Sequence, residues 1–223
     1  MFPLKDTQPS YTKPLVTIGL IAVNLLIFLF EASLTPRARE ILIDYYGLVP
    51  DHFHLSSIVT SMFLHGGWLH VLGNMWFLWI FGDNIEDLLG HVRYLIFYLL
   101  CGIAAAIAHV YFNSYSPLPT VGASGAIAGV MGAYLVKFPR SRILTLIFVL
   151  FFITWIEVPA PLMLAYWFFI QLFSGLGSIA RTHMSEGGVA WFAHVGGFIA
   201  GIILVTIMGA GKQRYYRPRD YNW

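Results

Sequence analysis

Charge is scarce in this chain. Asp, Glu, Lys and Arg make up 11% of its 223 residues, whereas 58% are hydrophobic and the mean hydropathy is +0.71. A soluble globular domain carries about 25% charged residues, so that class is excluded and an integral membrane protein is expected. Cysteine is nearly missing as well. Cys101 alone rules out an internal disulfide and any cysteine-rich metal site, and its place inside an apolar segment suits plain packing. A net charge of +2 leaves no electrostatic footprint for nucleic acid. The first apolar run has no small-residue cleavage site and leads on to Glu31, so it reads as an anchor rather than a removed leader.

The few charges divide the chain into spans. Lys13 and Glu31 bracket an uncharged stretch, 14–30, with Pro14 at its entry. Residues 32–64 mix Arg37, Arg39, Glu40, Asp44 and Asp51 with Ile41, Leu42, Tyr45 and Tyr46, which predicts a first loop lying at the membrane interface, partly as amphipathic helix. A second span follows over 67–81. No charge falls between Arg93 and Lys137, which leaves room for two spans joined by a turn at 113–119. Arg142 and Glu157 enclose only 14 residues, too few to cross a bilayer that needs about 20, so 143–156 is expected to be interfacial or re-entrant. A fifth span is placed at 158–178, and a sixth carries His194. The expected fold class is therefore an all-α polytopic bundle of six transmembrane helices with an interfacial first loop. Its parts are an N-terminal segment at 1–13, the six-span domain at 14–209 and a basic tail at 210–223.

The lysine and arginine bias orients this bundle. Six spans put ten of these residues, Lys5, Lys13, Arg93, Lys137, Arg140, Arg142, Lys212, Arg214, Arg217 and Arg219, on one side and only Arg37, Arg39 and Arg181 on the other. The richer side is read as cytoplasmic, with both termini on it and the chain in a plasma or inner membrane.

Against this apolar background two small-residue stretches carry ionisable or nucleophilic groups, Gly122-Ala123-Ser124-Gly125 and Ala193-His194-Val195-Gly196-Gly197. A buried imidazole within reach of a serine hydroxyl takes its proton, makes it a nucleophile and later protonates the leaving amine. No carboxylate stands near either residue in sequence, so the expected unit is a Ser-His dyad whose imidazole is oriented by packing. Gly125, Gly129 and Gly132 fall at i, i+4 and i+7, and His194, Gly197 and Gly201 at i, i+3 and i+7, so each helix presents a small-residue stripe that allows close approach. His70 and Asn74, four apart, share a face of the second span and offer donors for an oxyanion together with the open N–H of Ser124. Capping, packing and helix-to-helix hydrogen bonds are the plain alternatives for all four residues. A metal site is disfavoured, because His65 and His70 do not share a helical face and no His-Glu-x-x-His pattern exists. His52, His54, His91, His109 and His183 are assigned to loops or packing.

Taken together, Gly122-Ala123-Ser124-Gly125, Ala193-His194 with Gly197 and Gly201, His70-x-x-x-Asn74 with His65 ahead of it, and Glu86 before Leu89-Gly90 resemble the rhomboid intramembrane serine proteases. The resemblance runs from Pro14 to about Gly209. It implies Ser124 as nucleophile, His194 as general base, and His70, Asn74 and the Ser124 N–H as the oxyanion site. It also implies transmembrane protein substrates cut near the outer membrane face, a lateral gate formed by the span from Val158 onward, and no cofactor. Two positions depart from the usual pattern. Ser56-Ser57 stand where many members have Trp-Arg, and Ala128 stands where many have an aromatic, so the His194 ring is expected to pack on an aromatic from another helix. A rhomboid-like protein that binds and escorts transmembrane helices without cutting them is the alternative, and a small histidine-using transporter is disfavoured by the lack of inverted repeats and of charge pairs across the spans.

Overall fold

A computed structural model describes residues 2–149, 152–179 and 190–209. Residues 180–189, with Arg181 and His183, and the basic tail at 210–223 lie outside the described residues. Six long helices stand where the six spans are expected: α1 (Leu15–Ser33), α4 (Trp68–Leu89), α5 (His91–Phe112), α6 (Ser124–Lys137), α7 (Ala160–Ile179) and α8 (Trp191–Ile207). Among the described residues, α1 and α5 are by themselves long and apolar enough to cross a membrane, while α6, α8 and the apolar part of α7 over Ala160–Ser174 are shorter. The first loop holds α2 (Pro36–Tyr46) and α3 (Ser57–Thr60), followed by a 3-10 turn at Ser61–Phe63. Thr35 caps α2, accepting from the Ala38 N–H at 3.3 Å, with Pro36 at the first position. None of its residues is buried, and Ile41, Tyr45 and Tyr46 are exposed.

The all-α expectation is corrected at 142–159. This stretch is a hairpin of β2 (Arg142–Val149) and β3 (Phe152–Pro159), and the N-terminal strand β1 (Phe2–Asp6) adds to it in an antiparallel sheet of order β1-β2-β3. Its composition explains the change: Ile143, Thr145, Ile147, Thr154, Ile156 and Val158 are β-branched, and each arm is too short for a spanning helix. Pro159 closes the free strand at its end, opposite Arg142, where its missing N–H breaks no ladder. Arg142 and Glu157, which bracket the short stretch in sequence, face each other across the base of the hairpin at 3.9 Å.

Glu86 joins the first two long helices. Its buried carboxylate accepts from the Val16 N–H (2.8 Å), the Thr17 N–H (2.8 Å) and the Thr17 hydroxyl (2.7 Å), and also meets His91 Nδ1 at 2.6 Å. Pro14 has no side-chain group to cap α1, so a carboxylate from α4 satisfies the open N–H groups and complements the positive end of the helix dipole.

Asp6 anchors β1 beneath the bundle, accepting a 2.5 Å hydrogen bond from the Tyr134 hydroxyl. Burial pushes its carboxyl up from 3.8 to about 7, with the Tyr134 hydrogen bond acting in the opposite sense. Because the folded protein holds this proton more tightly than the unfolded chain, the contribution of Asp6 to stability is fullest below about pH 4, falls as pH rises from about 4 to about 7, and is absent above. Thermal unfolding in one detergent is expected to show that decline, and Asp6→Asn to make it shallower. An unchanged slope in the variant would assign the decline to another group.

Candidate active site

The two glycine stripes meet. A Cβ on Gly197 would collide with the Gly125 carbonyl oxygen, one on Gly201 with the Gly129 backbone, and one on Gly132 with the Phe198 carbonyl. Backbone therefore lies on backbone along α6 and α8, a contact only side-chain-free positions allow. Ser124 is the first residue of α6 and His194 the fourth of α8, so both stand at the entry ends of these helices. Ser124 Oγ lies 2.7 Å from His194 Nε2.

Two residues of α7 that sequence reasoning passed over complete the surroundings of the imidazole. Trp167 packs on the ring with centroids 5.6 Å apart at 42°, supplying the aromatic expected from another helix. Gln171, one turn later and buried, sets Oε1 2.6 Å from His194 Nδ1. An amide inside a predominantly apolar helix is a signal in itself, but nothing in the sequence ties Gln171 to a histidine 23 positions away.

On α4, His70 and Asn74 stand beside Gly122, two residues ahead of Ser124. The Gly66 N–H donates to His70 Nδ1 at 3.3 Å, which leaves the proton of the neutral ring on Nε2. That nitrogen lies 2.8 Å from where a Cβ of Gly122 would sit, and Asn74 Nδ2 lies 3.6 Å from the same point. Gly122 has φ +129°, a conformation that favours glycine, and its missing Cβ lets the backbone two residues ahead of Ser124 lie against these donors. Asn74 Nδ2 is buried and makes no hydrogen bond with the described residues. The N-terminus of α6 has no side-chain cap, so the Ser124 N–H is a third open donor. A cavity of about 30 Å³ borders Ser124 between Met62, Ala105, His109, Thr120 and Gly122, room for about two waters at 10–15 Å³ each.

The loop ahead of α4 is held without the Trp-Arg pair that Ser56-Ser57 replace. Glu31 accepts from the His65 N–H at 3.2 Å, and Arg39 Nη2 donates to the His65 carbonyl at 3.0 Å. Burial, reinforced by neighbouring His70, lowers the His65 imidazole to about 4 and keeps it uncharged. Leu48 and Thr120 exchange backbone hydrogen bonds at 2.9 and 2.8 Å, tying this loop to the segment that leads into Ser124. Of the remaining histidines, His109 meets Thr120 Oγ1 at 2.8 Å, His91 belongs to the Glu86 cluster, and His52 and His54 are exposed in the loop.

A family model described as the rhomboid domain matches residues 52–211, more than half of the chain. The chain belongs to the rhomboid family. This rhomboid is 28% identical over 191 residues to Rhomboid protein 1, mitochondrial, of Saccharomyces cerevisiae, covering 83% of this chain and 51% of the yeast protein. It is 32% identical over 156 residues to RHOMBOID-like protein 6, mitochondrial, of Arabidopsis thaliana, covering 68% and 43%. Against the human Presenilin-associated rhomboid-like protein, mitochondrial, it is 31% identical over 145 residues, covering 63% and 36%. The chain thus spans about half or less of the length of these relatives. Rhomboids are a membrane-protein family whose members are generally intramembrane serine proteases, some of them inactive.

Proposed function

We propose that this rhomboid is an intramembrane serine endopeptidase that cuts transmembrane helices of protein substrates near the extracytoplasmic face, with all six long helices crossing the bilayer and both termini in the cytoplasm. The observation that carries the reading is the 2.7 Å contact between Ser124 Oγ and His194 Nε2 at the entry ends of two glycine-packed helices. Ser124 Oγ attacks the scissile carbonyl carbon while its proton passes to Nε2, and the carbonyl π pair moves onto oxygen. His70 Nε2–H, Asn74 Nδ2–H and the Ser124 N–H supply the charge-stabilising donors. Collapse of the tetrahedral intermediate breaks the C–N bond, and the amine leaves with the proton held on Nε2. A water, activated by the same imidazole, then hydrolyses the acyl-serine and restores Ser124.

The test is a fluorophosphonate probe on the purified protein alongside cleavage of a single-span substrate in proteoliposomes. Covalent labelling at Ser124 with cleavage is expected, whereas helix binding without labelling or cleavage would assign the protein to the escort class. Graded loss on the oxyanion face follows from the same reading. Loss of a lone donor costs on the order of 10²–10³ in kcat, but with three donors sharing the charge Asn74→Ala is expected to lose less than that and to fall on kcat rather than substrate affinity. Unchanged kcat with weakened binding would make Asn74 a substrate contact instead.

A further inference from the structure

Trp167 and Gln171 stand four residues apart on α7 and so share one helical face. Both meet the His194 ring, Trp167 in a tilted ring contact and Gln171 Oε1 at 2.6 Å from Nδ1. A carbonyl oxygen has no proton to give, so this bond requires the Nδ1–H tautomer. The lone pair of the neutral imidazole is then left on Nε2, which faces the Ser124 hydroxyl at 2.7 Å. With the other tautomer Nε2 would carry the proton and could not accept one from Ser124. Among the described residues, the other titratable groups that reach His194 electrostatically are His70 on α4 and His109 on α5, and no carboxylate is among them.

We infer that Gln171 is the positioning residue of this site, holding His194 in the tautomer and orientation that let Nε2 act as base, a task an Asp performs in triad proteases. The inference rests on the Ser124–His194 reading and adds to it a third member from α7. A neutral amide orients the ring and supports the imidazolium through its dipole alone. The arrangement also ties the base to helix packing, because the ring is oriented only while α7 keeps its place against α8.

The experiment uses the full chain in one detergent, with Gln171→Met and Gln171→Leu as apolar replacements of similar size and Gln171→Glu as the variant that keeps an acceptor. Four readouts are taken: kcat, KM, the pH profile of kcat/KM, and the rate of fluorophosphonate labelling at Ser124. The apolar variants are expected to lose about 10–10²-fold in kcat and in labelling rate with KM within about twofold, short of the ~10⁴-fold loss seen where an amide forces the wrong tautomer. Gln171→Glu is expected to recover most of the lost kcat and to move the acidic limb of the profile to higher pH, because a carboxylate beside Nδ1 favours the charged imidazole. Wild-type kcat and labelling in both apolar variants would overturn the inference, as would a loss that falls on KM alone or that Glu does not reverse with the limb unmoved. Nitrogen NMR of histidine-labelled protein reads the tautomer directly: His194 with the proton on Nε2 in the wild type would overturn it as well. Failure of the underlying dyad is separable, since wild-type protein would then not label at Ser124.

Discussion

Ser124→Ala and His194→Ala are each expected to abolish cleavage, with a loss on the order of 10⁶ in kcat, the size seen when either the nucleophile or the base of a serine protease is removed. The double variant is expected to lose no more than either single one, because the two groups act as one unit and the second substitution removes nothing that still works. Neither change should unfold the protein. Ser124 is half-buried at a helix end and alanine fits its space. His194→Ala leaves Gln171 Oε1 without its partner, a cost of about 1–3 kcal/mol for a buried polar group, small beside the backbone packing of α6 on α8. Cleavage of one transmembrane substrate, with thermal unfolding measured in the same detergent, checks both statements. Full activity in either single variant would sink the assignment, and loss of activity together with loss of folding in both would leave Ser124 and His194 as packing residues.

Gly197→Leu is expected to remove activity by another route, through structure. Its Cβ would enter the Gly125 carbonyl, which is backbone and cannot rotate away. The helices must separate, and Ser124 is the residue next to Gly125. Overpacking a core typically costs 1–3 kcal/mol, and here the strained atoms belong to the main chain, so the lower end of that range is not expected. A displacement of about 1 Å between Ser124 and His194 is enough to cost on the order of 10² in rate. Gly19→Ala on α1 is the control, since nothing lies within 4 Å of its Cβ position; there alanine is expected to be neutral or stabilising. Thermal midpoint and cleavage rate should both fall for Gly197→Leu and hold for Gly19→Ala. Wild-type activity in Gly197→Leu would show that α6 and α8 do not need this contact to bring the dyad together.

Much of this protein was legible in local pattern. Low charge and long apolar runs placed the six long helices, because a segment's length and polarity are properties of the segment itself. The glycine stripes were readable because helical periodicity, a local property, decides which residues share a face, and those faces do meet along α6 and α8. The helix of the first loop was legible in the mixture of Arg37, Arg39, Glu40 and Asp44 with Ile41, Leu42, Tyr45 and Tyr46. The stretch at 143–156 stands out in sequence by its shortness, yet its strands depend on pairing with each other and with residues 2–6, a non-local contact. The same limit hid the surroundings of the base. His194 and Ser124 could be matched because each carries a recognisable small-residue setting, whereas Trp167 and Gln171 look like ordinary members of an apolar helix until α7 is laid against α8. Glu31 and Arg39, which hold the loop through His65, come from different elements and share no spacing rule. Sequence alone thus determined the helices and the faces they offer one another. Which side chains from a third helix reach the imidazole was decided only by tertiary packing, because a hydrogen bond between residues 23 apart exists only once both helices have a fixed place in space.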